Sequence, residues 1–211
     1  MKQTLYGLLG LLLLGLIVGC SSSGPYEETF DEAGPWPEES NPSAAGKVIG
    51  GGYELEVKAD SGIFWATGDQ SFGDGVYEVE ATQLAGTLDN GFGMMFMVDI
   101  DRDDFYAFEV SGDGYTWIGR CEGACQEDIV ILVEDGWVST DVVQTGLNET
   151  NSLRVIVDQG NMTFFVNGQE VGRAYDVALT EGDIGLLVET LGEGGVKVRF
   201  DNFRYTPLES E

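Results

Sequence analysis

The chain contains no histidine and few basic residues. Without imidazole, catalytic triads of the Ser-His-Asp or Cys-His kind and histidine metal sites are excluded. Ten lysine and arginine residues stand against 37 acidic residues, and the net charge is -27. Binding to nucleic acid depends on neutralising phosphates with Lys and Arg, so this balance excludes DNA and RNA as partners. No segment shows a convincing apolar period of an amphipathic helix, so the sequence gives no sign of a helical fold.

The N-terminus has the pattern of a bacterial lipoprotein signal. One lysine precedes an apolar stretch over residues 5–18, which is shorter than the roughly 20 residues that span a bilayer. The run Ile17-Val18-Gly19-Cys20 then leads into three serines. This pattern predicts a signal peptide over residues 1–19, acyl chains such as palmitate on Cys20, and a lipidated tether over residues 20–25. The alternative is an ordinary signal peptide or an uncleaved anchor in which Cys20 is incidental.

Both interpretations place the rest of the chain outside the cytoplasm. We therefore expect a protein of the bacterial cell envelope, with the membrane as a partner through its lipid anchor. Ser21 after the cysteine is not a signal for retention at an inner membrane. The outer membrane is the expected location in a cell that has two membranes.

Two further cysteines, Cys121 and Cys125, are close together in the sequence. In an oxidising compartment they predict a disulfide, because the intervening Gly123 lets the chain turn tightly. The alternative is a pair of free thiols in a reducing niche. Two thiols are too few for a tetrahedral zinc site without help from carboxylates.

From Tyr53 onward the sequence alternates apolar and polar residues between Gly, Asn and Asp, which is typical of β-strands. A first strand or clasp is expected between Tyr26 and Trp36, followed by an irregular loop to about Gly52. Asn167-Gly168 is the strongest hairpin signal. The predicted strands are Tyr53–Val57, Val76–Glu80, Phe92–Val98, Phe105–Val110, Tyr115–Gly119, Ile129–Val133, Leu153–Val157, Met162–Val166, Ile184–Val188 and Val196–Phe200. These predict one all-β domain over residues 26–208, built of two packed antiparallel sheets, and a short tail at 209–211.

Several of these stretches also carry a resemblance to a known family. They are Gly51–Tyr53, Asp104–Gly114, Asn151–Val155, Phe164–Gly168, Gly182–Leu186 and Phe200–Phe203. In them the sequence resembles concanavalin A-like jelly-roll domains, the group of legume-type lectins, laminin-G modules and laminarinase-type hydrolases. It looks most like the bacterial branch labelled keto-disaccharide hydrolase or laminarinase-like. Each matching stretch is a strand-and-turn signature, so the resemblance implies a jelly-roll sandwich more strongly than any activity.

Catalysis by a retaining glycosidase requires two carboxyl groups about 5 to 5.5 Å apart. The laminarinase-type enzymes that the sequence resembles supply them from a Glu-x-Asp-x-Glu pattern on one strand. Here the nearest form is the segment Glu181–Gly185, in which Gly185 replaces the last carboxylate, and a turn into the next strand is expected instead. This departure favours a protein that is not an enzyme, although the question stays open.

Two groups of acidic residues are candidates for calcium, which favours several oxygen ligands. The acids between Asp99 and Asp104 follow one predicted strand and precede the next, so a solvated hairpin turn is the default, and calcium binding and catalysis are the alternatives. The resemblance further implies a structural calcium where the first and last strands meet, with Asp201 and Glu28 or Asp31 as oxygen donors. Alternatively, Asp201 organises a bend or pairs with Arg204.

Sugars bind by stacking on aromatic rings, with hydrogen bonds from carboxylates and amides. Tyr115 and Trp117 alternate on one predicted strand, and Trp65 is a plausible neighbour; core packing is the alternative for each ring. The candidate carbohydrate-binding residues are Tyr106, Asp113, Tyr115, Trp117 and Trp137. We therefore predict a surface lipoprotein that binds a carbohydrate or another extracellular polymer without chemistry. A glycoside hydrolase of the laminarinase or keto-disaccharide hydrolase type and a structural protein-interaction module of the envelope are the alternatives.

Overall fold

The computed structural model describes residues 24–208, so the predicted leader, Cys20 and the tail at 209–211 lie outside the described residues. Within this range the chain forms sixteen β-strands and no helix. The strands are β1 (Tyr26–Glu28), β2 (Glu39–Ser40), β3 (Ala44–Val48), β4 (Tyr53–Val57), β5 (Ser61–Phe72), β6 (Gly75–Ala85), β7 (Gly91–Asp99), β8 (Asp104–Ser111), β9 (Tyr115–Glu122), β10 (Asp128–Ile131), β11 (Val138–Ser139), β12 (Thr150–Asp158), β13 (Asn161–Val166), β14 (Gln169–Tyr175), β15 (Gly182–Leu191) and β16 (Val196–Pro207). A helix long and apolar enough to cross a membrane is not found in residues 24–208.

The strands form two antiparallel sheets, as predicted. The nine-stranded sheet has the order β14-β13-β12-β6-β16-β4-β3-β2, and β1 pairs with β16 at its side. The seven-stranded sheet has the order β10-β9-β8-β7-β15-β5, and β11 pairs with β9. Neighbours such as β6 and β16 are distant in sequence, so the chain crosses repeatedly between the sheets.

An aromatic core joins the two sheets. Tyr77 and Phe164 of the nine-stranded sheet contact Phe96 and Phe108 of the seven-stranded sheet, with ring centroids 5.5 Å apart for Tyr77 and Phe96 and 5.2 Å apart for Phe108 and Phe164. All four side chains are fully buried. Such pairs contribute about 0.5–1.5 kcal/mol beyond the apolar area that they bury. The core therefore fixes which face of each strand points inward.

The seven-stranded sheet is also covered on its outer face. A second apolar cluster lies there and includes the buried side chains of Met95, Phe105, Ala107 and Leu187. Since consecutive residues of a strand point to opposite faces, the central strand β7 has nearly every residue buried. Its continuous apolar sequence, Phe92–Val98, follows from this burial on both faces.

The predicted hairpin at Asn167-Gly168 is confirmed. These two residues join β13 to β14 and both have positive φ, 50° and 78°, as a two-residue turn of this kind requires. The prediction of an irregular loop up to about Gly52 was wrong in part, because this segment contains β3, which pairs with β4. The sequence also missed β5, in which Gly62, Gly68 and a positive φ at Asp69 interrupt the alternation of a regular strand.

Candidate functional site

On the outer face of the seven-stranded sheet, an aromatic and two acidic side chains lie on neighbouring strands. Trp117 on β9 lies opposite Glu109 on β8, and Glu109 lies opposite Gly93 on β7. Gly93 in turn pairs with Leu187 on β15, two residues before Glu189. Cross-strand partners on one face have their Cβ atoms about 4.5–5.5 Å apart, so the sheet brings together groups from four strands.

Glycines in this sheet make room for the larger side chains. A Cβ atom on Gly91 would collide with the carboxylate of Glu109 and would lie 2.9 Å from the ring of Trp137. A Cβ atom on Gly119 would collide with the benzene ring of Trp117, so this indole lies over the glycine. The observed positions of the Glu109, Trp117 and Trp137 side chains therefore require glycine at residues 91 and 119.

We call the resulting depression the outer groove, and it consists of two adjoining cavities that share Trp137 and Leu191. The first, of about 240 Å³, is lined by Ile63, Phe105, Glu109, Trp117, Cys121, Cys125, Ile129, Ile131, Trp137, Leu187, Glu189 and Leu191. The second, of about 250 Å³, is lined by Asp89, Ser111, Asp113, Tyr115, Trp137 and Leu191. Both cavities have mainly apolar walls, with a few carboxyl groups among them.

Glu109 is the central polar group of the outer groove. Its side chain is only 3% exposed, and its Oε2 atom has no hydrogen-bond partner among residues 24–208. Burial raises the pKa of Glu109 well above its ordinary value, and the negative charge of Glu189 raises it further. Burial also raises the pKa of Glu189. Two carboxyl groups thus share an apolar environment, in which it is unfavourable for both to be charged at the same time.

The segment after β9 forms one edge of the outer groove. The predicted disulfide between Cys121 and Cys125 is present, with the Cα atoms 4.4 Å apart. Its loop is held by the N–H of Gly123, which donates to Asp104 at 3.0 Å, and by that of Ala124, which donates to the carbonyl of Asp103 at 2.7 Å. Both β10 and β11 then pair with β9, and Trp137 immediately precedes β11.

A buried asparagine holds the opposite edge. The Oδ1 atom of Asn90 accepts a hydrogen bond of 2.9 Å from the N–H of Leu191, at the end of β15. Its Nδ2 atom donates to the side chain and carbonyl of Thr87 at 2.7 and 2.9 Å. These bonds fix the end of β15, which carries Glu189 and Leu191.

The prediction that Tyr106 binds carbohydrate was wrong. Its ring is fully buried on the inner face of β8 and stacks on Phe96 at 5.3 Å. Its hydroxyl donates to Asp176 at 2.8 Å and accepts from the N–H of Leu179 at 3.2 Å. A ring in the core cannot stack on a sugar. The residues that alternate with Tyr106 along β8, such as Glu109, point outward.

The other four predicted carbohydrate-binding residues line the outer groove. Trp117 and Trp137 line the first cavity, and Asp113, Tyr115 and Trp137 line the second. The hydroxyl of Ser111 donates to Asp113 and accepts from the N–H of Tyr115 at 3.1 Å, which orders the turn between β8 and β9. Trp65 lies outside the groove, with its ring 6.1 Å from that of Phe105.

Of the acidic segments singled out in the sequence, the one between β7 and β8 forms the expected turn. Asp99 accepts hydrogen bonds from the backbone N–H groups of Asp101 and Arg102, and the guanidinium of Arg102 pairs with it at 2.7 Å. The expected turn at Glu181–Gly185 was wrong in part, because Gly182 and Asp183 already belong to β15 and only Glu181 precedes the strand. Burial and the neighbouring charge of Asp69 raise the pKa of Asp183 at the start of this strand.

The predicted calcium ligands lie near the pairing of β1 with β16. Glu28 accepts from the N–H of Phe30 at 2.8 Å, Asp31 from the hydroxyl of Thr29 at 2.9 Å, and Asp201 from the N–H of Asn202 at 2.7 Å. Burial raises the pKa of Asp201, and the charges of Glu80 and Asp31 add to it. Within residues 24–208 no group of three acidic or cysteine side chains is placed to hold a metal ion. Calcium here stays a prediction.

Sequence reasoning missed Glu109 and Glu189. Each is a single carboxyl group within a strand of mostly apolar residues, Phe105–Val110 and Ile184–Thr190. An isolated acid in a buried strand is a signal that could have singled out both residues, since such a group is seldom buried without a role. Their proximity could not be inferred from their spacing in the chain.

Similarity to known proteins is limited to the fold. No protein-family model and no curated protein matches the chain. Among solved structures, the carbohydrate-binding module CBM66 from Bacillus subtilis superposes with a TM-score of 0.64 at 17% identity, covering 82% of this chain and 96% of that one. The Bacillus licheniformis β-glucanase gives 0.63 at 15% identity, covering 89% and 100%. The Crh5 transglycosylase in complex with NAG gives 0.65 at 14% identity, covering 90% and 86%.

These likenesses confirm the predicted fold class, a concanavalin A-like jelly-roll sandwich of two antiparallel sheets. The three structures differ in what their names say they do, and one fold can carry many functions. At these identities the likeness shows the fold alone.

The electrostatics of Glu109 predict how stability depends on pH. The unfolded state ionises near pH 4.3, about the ordinary value for Glu, whereas the folded state holds its proton to higher pH. The free energy of unfolding therefore falls as pH rises from about 4.3 towards the raised folded pKa. We expect Glu109→Gln to gain stability relative to the wild type as pH increases from about 4 to 8 in urea titrations.

The matched control is Glu149→Gln, which neutralises an exposed carboxylate outside the outer groove. The difference in the free energy of unfolding between this variant and the wild type should change little over the same pH range. A stability difference for Glu109→Gln that stays constant with pH would contradict the raised pKa.

Proposed function

We propose that the chain binds an oligosaccharide in the outer groove and performs no chemistry on it. The observation that carries this proposal is the placement of two indole rings beside a buried carboxyl group whose Oε2 atom has no hydrogen-bond partner in the described part of the chain. Sugars present an apolar ring face and a rim of hydroxyl groups, which match an aromatic surface and a few fixed polar groups. The two adjoining cavities give the outer groove room for more than one sugar unit.

The named structural neighbours support a carbohydrate as the ligand. One is a carbohydrate-binding module, one is a β-glucanase and one was solved with NAG bound. The acidic surface is compatible with this ligand class, since an uncharged sugar is not repelled by it.

Removal of either indole should weaken sugar binding. We expect Trp117→Ala and Trp137→Ala each to lower affinity by about tenfold or more, because an aromatic ring buries about 150–250 Å² of surface at a contact. Retention on a glycan array identifies the ligand, and calorimetry measures the loss.

Tyr175→Ala provides the control, since Tyr175 is an aromatic residue of the nine-stranded sheet that is 67% exposed. It should bind as the wild type does. Unchanged retention of both tryptophan variants would reject the outer groove as the sugar site.

Hydrolysis of a glycosidic bond is the second candidate, and the pair Glu109 and Glu189 favours it. A carboxyl group whose pKa is raised by burial is suited to protonate a leaving oxygen, while a second carboxylate acts as nucleophile or base. These two residues come from β8 and β15 and replace the single-strand pattern that the sequence lacks.

Turnover distinguishes this candidate from binding alone. If the pair is catalytic, the wild type releases reducing ends from a panel of glucans and disaccharides, and Glu109→Gln lowers the rate by about 10²-fold or more. Glu149→Gln should retain full activity. Binding of a glycan without release of reducing ends would reject hydrolysis and leave the binding proposal intact.

We further propose that the domain is anchored by lipid at Cys20 in the cell envelope. The tight match of Ile17-Val18-Gly19-Cys20 to a lipoprotein signal supports this anchor, and an envelope location is compatible with the Cys121–Cys125 disulfide. We expect labelled palmitate to be incorporated into the wild type and not into Cys20→Ala, which should leave the membrane fraction. Cys20→Ala that still carries label would contradict the proposal.

A further inference from the structure

The hydrogen-bonding groups of the outer groove are strongly unbalanced. Its two cavities together contain four carboxyl groups, from Asp89, Glu109, Asp113 and Glu189. Among the described residues that line these cavities there is no lysine, arginine, asparagine or glutamine. The hydroxyl of Ser111 is already bonded to Asp113. The outer groove therefore offers acceptors and aromatic faces, with few donors.

We propose that the outer groove recognises an amino sugar, with the protonated amino group held by Glu109 and Glu189 and against the rings of Trp117 and Trp137. This inference rests on the proposed binding function and names the class of its ligand. An ammonium group carries three N–H donors and no acceptor, which complements such a lining. Its positive charge also removes the repulsion between two neighbouring carboxyl groups, and indole rings attract cations through their faces.

A metal ion fits this lining less well. Calcium takes six to eight oxygen ligands, and magnesium requires nearly octahedral coordination by oxygen. Around Glu109 and Glu189 the wall of the first cavity consists of apolar side chains, among them Phe105, Ile129 and Leu187. An ammonium group on a sugar needs fewer ligands, and the apolar face of the sugar ring is suited to the remaining wall.

The unpartnered oxygen of Glu109 gives the amino group a defined position. This atom is buried and lies next to the vacant side-chain position of Gly91, near the ring of Trp137. A buried acceptor that stays without a hydrogen bond destabilises the folded protein. A donor that enters from the outer groove satisfies it and is placed beside the indole in the same step.

The test compares three classes of glycan on purified full-length protein. The array carries glucosamine oligomers, the corresponding N-acetylglucosamine oligomers and glucose oligomers, each in several linkages and lengths. Because a protein of net charge -27 attracts any polycation, binding is measured in about 0.5 M NaCl, where exposed charges are screened beyond a few ångströms. We expect glucosamine oligomers to bind about tenfold more tightly than their acetylated counterparts.

The variants locate this preference. Glu189→Gln and Glu109→Gln should each abolish the difference in affinity between glucosamine oligomers and their acetylated counterparts, and circular dichroism verifies the fold. Glu149→Gln, which changes the net charge equally, should retain the preference. A preference that survives both groove variants would overturn the proposal.

The outcomes separate this inference from the function on which it rests. If neutral and amino glycans bind equally, and Trp137→Ala weakens both, the amino-sugar inference is wrong and the binding function stands. If no glycan on the array is retained, both proposals are wrong.

Discussion

The packing of the two sheets through their aromatic core is the constraint on which the candidate binding surface depends. Phe108 contacts Phe164 across the interior, and Tyr106 is buried beside Phe96 on the same face of β8. Because side chains alternate along a strand, the burial of these rings makes Glu109 point outward. A shift of β8 by a single residue would place this carboxyl group in the core, so the core also determines the position of the candidate site.

The outer face of the seven-stranded sheet gives Glu109 its unusual environment. The apolar cluster of Met95, Phe105, Ala107 and Leu187 lies alongside it, and the segment after the disulfide loop adds Ile129, Ile131 and Trp137 to the wall of the groove. Burial raises the pKa of both Glu109 and Glu189, and the charge of Glu189 raises the pKa of Glu109 further. Buried acids are costly without a partner, which is why this pair singles out the groove as the candidate binding surface.

Small residues shape the outer groove as much as the large ones do. Gly91 leaves space for Glu109 and Trp137, and Gly119 leaves space for Trp117. The glycines of this chain are therefore not confined to turns, although turns such as Asn167-Gly168 do need them. Positions inside a strand that have no side chain allow neighbouring rings to lie along the sheet, where their faces can contact a ligand.

The sequence by itself determined what depends on short-range patterns. Alternation predicted the two-sheet all-β fold, the dipeptide Asn167-Gly168 predicted its hairpin, and the spacing of Cys121 and Cys125 predicted the disulfide. It also identified Trp117 and Trp137 as candidate binding residues. It wrongly included Tyr106 among them, because it did not establish which face of β8 is buried. Only the tertiary structure brought Glu109 together with Glu189. The strand order places β7 between β8 and β15, and that order depends on pairings between residues far apart in the chain, which no local pattern encodes.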